Sequence, residues 1–138
     1  MNKVIPKDKE YFFDDNVIIS QTDLKGVITY ANRVFIQVCG YNKDELIGKP
    51  HNILRHPDMP KEVFQKMWQT IQNGQVWNGL IKNLRKDGLY YWVDTEILPL
   101  KNDEGEITGY IAARKAASRK DIQENEEIYQ KMLETQQS

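Results

Sequence analysis

The 138 residues are 40% hydrophobic and 28% charged, which suits one compact domain with an ordinary core and leaves no room for a second. Nineteen basic against twenty acidic side chains give a net charge of -1, so no broad field draws the chain onto nucleic acid or anionic lipid. The lone Cys39 excludes an internal disulfide and a Cys-rich metal centre. No apolar run reaches the roughly 20 residues of a bilayer span, and the polar start Met1-Asn2-Lys3 is no secretory signal, so a soluble, cytoplasmic chain is expected.

In chain order, residues 17–22 (VIISQT) and 26–30 (GVITY) are β-rich runs around Asp23-Leu24-Lys25-Gly26, which predicts a hairpin. Asn32 then precedes Val34, Phe35 and Val38 at helical spacing, with Gly40 as the expected C-cap. One more helical turn is expected at 43–47 before Gly48-Lys49-Pro50, and the stretch from His51 to Asp58 is irregular and polar. The clearest helix is 60–73, which opens with Pro60 and aligns Val63, Phe64, Met67, Trp68 and Ile71 on one face.

Three strands follow at about 76–86, 89–100 and 107–116, divided by Lys86-Asp87-Gly88 and Asn102-Asp103-Glu104-Gly105. Grouped strands and grouped helices predict an α+β fold, an antiparallel sheet with helices packed on one face. From Ser118 to about Thr135 the signature Ser118-x-x-Asp121 and sparse apolar positions Ile122, Tyr129, Met132 and Leu133 predict an exposed connecting helix, or one packed loosely on the domain. The chain thus divides into an N-terminal cap or tail (1–14), a core domain (15–116) and a C-terminal connecting helix (117–138).

Asp23-Leu24-x-Gly26-x-Ile28-x-Tyr30-Ala31-Asn32 followed by Gly40-Tyr41-x-x-x-Glu45-Leu46-Ile47-Gly48, in that element order, resembles a PAS domain with its five-stranded antiparallel sheet. The block Pro50-His51-Asn52-Ile53-Leu54-Arg55-His56-Pro57-Asp58-Met59-Pro60 resembles a segment of the N-terminal PAS domain of bacterial aerotaxis receptors. Trp77-x-Gly79-x-x-Lys82-Asn83-x-Arg85-Lys86-x-Gly88-x-x-Tyr91-Trp92-Val93 strengthens that likeness. It implies non-covalent FAD, a redox or oxygen signal, and an output to a chemoreceptor signalling domain or a separate membrane receptor, with a homodimer compatible. Neither the membrane anchor nor the signalling coiled coil usual in those receptors is expected within these 138 residues.

A flavin needs a flat apolar slot, hydrogen-bonding groups at its carbonyl edge and cations or amides for its phosphates. Strand alternation places Trp77, Gly79, Ile81 and Asn83 on one face, opposite Asn78, Leu80 and Lys82. The resemblance implies that Trp77 lies near the ring system and Asn83 on its polar edge, with Gly79 allowing close approach. The alternatives are a Trp77 that fills the core and an Asn83 that serves local backbone. Arg55, His56 and Asp58 match family positions tied to flavin. Asp58 also suits the dipole of the following helix, His56 is held extended by Pro57 with its ring directed outward, and Asn32 either caps the first helix or lines the pocket.

Cofactor-binding candidates are therefore Asn32, Arg55, His56, Asp58, Trp77 and Asn83. His51 stands where related light sensors carry their adduct-forming cysteine, so thioether photochemistry is not expected, and Cys39 reads as a small buried hydrophobe. His51 and His56 are the only candidates for a haem ligand. No paired nucleophile and base, phosphate-binding glycine loop or metal-ligand cluster is present, so no enzyme is expected. A cofactor-free interaction module remains the alternative of a different class.

Overall fold

A computed structural model describes residues 4–14 and 16–137. Met1 to Lys3 of the expected tail, Asp15 at the expected boundary and Ser138 at the end of the expected connecting helix lie outside the described residues. The strands are β1 (Ile18–Thr22), β2 (Ile28–Ala31), β3 (Trp77–Leu84), β4 (Tyr90–Lys101) and β5 (Ile107–Ala116). The helices are α1 (Arg33–Cys39), α2 (Lys43–Leu46), α3 (Lys61–Gln72) and α4 (Arg119–Gln137), with one 3₁₀ turn at His51–Leu54. One antiparallel sheet runs in the order β2-β1-β5-β4-β3, so the chain's first and last strands meet at its centre.

Local chemistry accounts for the helix ends. The Asn32 side chain accepts from the Phe35 amide and opens α1, and Gly40, at φ 80°, closes it in the left-handed region where a Cβ is penalised. A full capping box between Asn42 and Glu45 makes the four-residue α2 stable enough to form. The first amide of α3 receives no side-chain cap from Pro60; Gln136, from the far end of α4, accepts from Lys61 N at 3.0 Å instead.

Cross-strand register fixes which side chains share a face. Asn83 stands opposite Tyr91, Ile81 opposite Val93 and Gly79 opposite Thr95. Thr95 in turn pairs with Arg114, Ile97 with Ala112, and Ala112 with Ser20. These inward positions meet Phe35, Leu46, Leu54, Val63, Phe64, Met67 and Ile71, which form the core beneath α1–α3.

The other face carries Leu80, Lys82 and Trp92, and here the expectation of an exposed connecting helix needs correction. Along α4, Ile122 and Tyr129 are buried, the Tyr129 ring stacks on Trp92 with centroids 6.3 Å apart, and its hydroxyl donates to Leu80 O at 2.6 Å. Their spacing of seven, about two helical turns, turns both toward the sheet. Together with Met59 Sδ, which accepts from Lys82 N at 3.3 Å, the Tyr129 hydroxyl satisfies backbone groups that the outermost strand β3 would otherwise leave open. The N-terminal segment adds a short parallel bridge at Glu10 to Tyr90, and the Glu10 carboxylate accepts from both terminal nitrogens of Arg119 at the start of α4.

Candidate functional site

Between the inner sheet face and the 3₁₀ turn, α3 and the β1–β2 turn lies a cavity of about 270 Å³. Ile81, Ile97 and Ala112 form its sheet wall, and Phe64, Met67 and Ile71 form its helix wall. Trp68 closes one side, its indole edge-on to Tyr110 with centroids 5.6 Å apart. The exposed lining residues Lys25, Pro50, Asn52 and Arg55 mark the mouth. The volume lies just below the roughly 300–1,000 Å³ range of drug-sized pockets.

The charge of this lining differs from that of the chain. Lys25, Arg55 and Arg114 contribute three cations, and among the described residues no carboxylate lines the cavity. Arg114 is 4% exposed and belongs to no ion pair among the described residues. Its Nη2 donates to His51 Nε2 at 2.7 Å, while its Nη1 is buried without a hydrogen-bond partner among the described residues. Ser20, another lining residue, likewise has its Oγ buried and without a hydrogen-bond partner among the described residues. The Tyr91 hydroxyl and Thr95 Oγ1, on the register partner of Arg114, are buried orphans as well, so four costly unpaired polar atoms cluster in this part of the core and two of them belong to cavity-lining residues.

His51 stacks on Phe35 with centroids 5.7 Å apart. Burial, then the charge of Arg114, pushes its imidazole down to about 3, so it is neutral and accepts from arginine through Nε2. Burial likewise pulls the Arg114 guanidinium down to about 10, still charged at neutral pH. Burial lifts the Cys39 thiol to about 11; this buried, protonated group suits packing rather than thiolate chemistry.

Of the six residues singled out in the sequence, Arg55 and Asn83 line the cavity. Their backbones are joined by an antiparallel bridge, and the Arg55 guanidinium sits 3.9 Å from the centroid of Phe64. The other four lie outside the lining. Asn32 caps α1 and donates to Val17 O at 3.0 Å. His56 turns inward, not outward: it is 5% exposed, accepts from Asp58 N through Nδ1 at 3.0 Å and stands edge-on to Tyr90. Burial, followed by the Lys82 charge, lowers its pKa.

Asp58 pairs with Lys82 Nζ at 2.9 Å and lines a separate groove against α4. Trp77 lays its indole over Gly79, where an added Cβ would come within 2.5 Å of it. The ring that approaches the sheet at Gly79 is therefore the chain's own. Sequence reasoning missed Arg114 and Ser20 as site residues; strict alternation through Tyr110, Ala112 and Arg114 was the available signal, since it puts a charge at an inward position of a central strand.

The groove against α4 is lined by Lys82 and Trp92 together with Glu126, Glu127 and Glu134. Among the described residues no group of His, Cys, Asp and Glu is placed to hold a metal, and no helix is long and apolar enough to cross a membrane.

Comparison with known proteins agrees with this architecture. The chain matches the PAS fold family over residues 28–114. It is 47% identical to the aerotaxis receptor of Escherichia coli (strain K12) over 116 residues, covering 84% of this chain and 23% of the receptor. It is 38% identical to the nitrogen fixation regulatory protein of Klebsiella pneumoniae over 103 residues, covering 75% of this chain and 21% of the regulator. The chain thus spans less than a quarter of either relative.

Among solved structures, it superposes on a light-oxygen-voltage domain studied with a flavin analogue at TM-score 0.70 and 26% identity, covering 82% of this chain and 87% of that one. A PAS domain from Colwellia psychrerythraea gives TM-score 0.68 at 26% identity, covering 75% and 87%. The two sequence relatives are a receptor and a regulatory protein. With its sheet order and the family match over residues 28–114, the chain belongs to the PAS fold family.

Proposed function

We propose that this chain is a sensory PAS domain that binds FAD non-covalently and passes its redox state to a signalling partner, in the manner of aerotaxis or energy taxis. The observation that carries this reading is the cavity with apolar walls, lined by cations and, among the described residues, by no carboxylate, inside a chain of net charge -1. Its size suits a tricyclic ring, and Lys25, Asn52 and Arg55 at the mouth suit the pyrophosphate outside it. The 47% identity to an aerotaxis receptor and the likeness to a flavin-associated light-oxygen-voltage domain support it.

When bound, FAD supplies reversible uptake of electrons and protons at its ring. The chain's part is to hold that ring and relay what happens at its edge. Ile81, Ile97 and Met67 exclude water from its faces, and Asn83 offers a carboxamide to its polar edge. Asn83 is also bridged through the backbone to Arg55 and follows Lys82, whose side chain leaves on the opposite face beside Trp92 and α4. A shift at Asn83 therefore reaches both the loop after the 3₁₀ turn and the outer helix. The proposed recipient is a chemoreceptor signalling domain or a separate membrane receptor, with self-association of the chain a further route.

The haem alternative finds no ready axial ligand. His51 Nε2 is taken by Arg114, and His56 lies outside the lining with Nδ1 engaged. The test is a fluorescence titration of the ligand-free protein with FAD and riboflavin. FAD is expected to bind at least tenfold more tightly, by an increment that shrinks with added salt and is largely lost in Arg55→Ala. Equal affinity for the two, unchanged by salt, would contradict the assignment of the mouth to the pyrophosphate.

A further inference from the structure

We infer that Arg114 is the residue by which the cavity reads its ligand, selecting a flat ring whose inner edge carries carbonyl oxygens or negative charge. This rests on the proposed use of the cavity as a cofactor site. Arg114 projects from the central strand β5, buried to 4% exposure, with no carboxylate paired to it among the described residues. A guanidinium in that position is ordinarily completed by an anion or by several acceptors. Here one arm is committed: Nη2 donates to His51 Nε2 at 2.7 Å, and the guanidinium carbon lies 5.4 Å from the centroid of Phe35. The other arm, Nη1, has no hydrogen-bond partner among the described residues.

One strand over, Ser20 Oγ is equally buried and unpartnered, and both residues line the same cavity. His51 thus acts as a positioning residue that aims the fork, which leaves Nη1 for an acceptor on the edge of a bound ring. A guanidinium fork selects acceptor-rich edges over hydrocarbon edges, because the latter would leave the buried donors unpaired.

The test compares wild type with Arg114→Met and Arg114→Lys, measuring thermal unfolding of ligand-free protein and FAD affinity by fluorescence titration. Ligand-free Arg114→Met is expected to unfold at or above the wild-type temperature, because a buried unpaired charge gives way to an apolar chain of similar volume. Its FAD affinity falls roughly tenfold to a hundredfold, the loss of one charge-assisted hydrogen bond. Arg114→Lys, whose single ammonium cannot serve His51 and a planar edge in the same geometry, falls between the two.

Arg114→Met that unfolds below wild type yet binds FAD with wild-type affinity would make Arg114 a structural partner of His51 and overturn the inference. Should Arg114→Met fail to fold, wild-type affinity in Arg114→Lys overturns it equally, and weakened affinity supports it. If no form of the protein takes up FAD, the ligand-free comparison decides. Higher stability in Arg114→Met then retains Arg114 as a ligand group and removes only the flavin reading, whereas lower stability removes both.

Discussion

Lys82 Nζ lies 2.9 Å from the Asp58 carboxylate, tying the loop that carries Arg55 to the strand that carries Asn83. The lysine side chain is 10% exposed and the aspartate 63%, so the pair is lopsided. Lys82 is further shielded by Tyr90, with its nitrogen 4.3 Å from the ring centroid. Removing Asp58 takes the ion-pair partner from a nearly buried ammonium that stands beside the Tyr90 and Trp92 rings. Asp58→Ala is expected to cost about 1–2 kcal/mol, less than a fully buried pair would, because the aspartate is largely solvated. Chemical denaturation of Asp58→Ala beside a Lys82→Met, Asp58→Ala double variant checks it: the double variant should recover most of the loss.

Tyr129 holds α4 to the sheet by a stacked ring and a hydroxyl that donates to Leu80 O. Tyr129→Phe should cost about 1 kcal/mol, the net value of one hydrogen bond. Tyr129→Ala should cost roughly 3–4 kcal/mol through the lost ring. In amide hydrogen exchange, the alanine variant should show faster exchange along α4 while the amides of β5 stay protected. Uniform acceleration through the whole sheet would mean that α4 is integral to the core rather than a docked element.

Gly79 exists for Trp77. An added methyl would stand 2.5 Å from the indole, so Gly79→Ala should destabilise by about 1–3 kcal/mol. Combining it with Trp77→Leu should cost less than the sum of the two single changes, since the clash disappears with the ring. Strict additivity in urea denaturation would show that the indole does not depend on the bare glycine.

His51 gives the ligand-free protein a pH signature. Its folded pKa is about 3 against an ordinary 6.5, so at intermediate pH the unfolded chain binds a proton that the native state refuses. Stability is therefore fully present above about pH 6.5 and falls as pH drops toward 3, at up to ~1.4 kcal/mol per pH unit. His56, also lowered by burial, adds in the same direction. Between pH 7 and 5, wild type should lose clearly more unfolding free energy than His51→Gln. Parallel losses in the two proteins would mean that the imidazole is freely protonated in the folded state.

Much of this fold is legible from periodicity and punctuation. Alternation with Gly-containing turns marks every strand to within a few residues, and Val63, Phe64, Met67 and Ile71 identify the buried face of α3. What is not legible depends on contacts made across the sequence. Ile122 and Tyr129 look sparse on α4 because their partners, Leu80 and Trp92, sit on an outer sheet face that local pattern assigns to solvent. The same holds for the 51–58 segment. Its residue types suggest ligand contact, yet backbone course sends Arg55 to the cavity mouth, His56 into a pocket beside Tyr90 and Asp58 to Lys82. Arg114 is hidden for the opposite reason: one arginine in a strand carries no motif, and only its register beside Thr95 and its link to His51 reveal an inward charge.

The most direct measurement is the visible absorption spectrum of freshly purified protein, followed by acid release and identification of whatever chromophore leaves it. The account predicts a vibronically structured flavin spectrum and FAD in the supernatant, bleached by dithionite and restored by air. A colourless protein that takes up no added FAD, or one with a sharp Soret band and free haem on release, would contradict it.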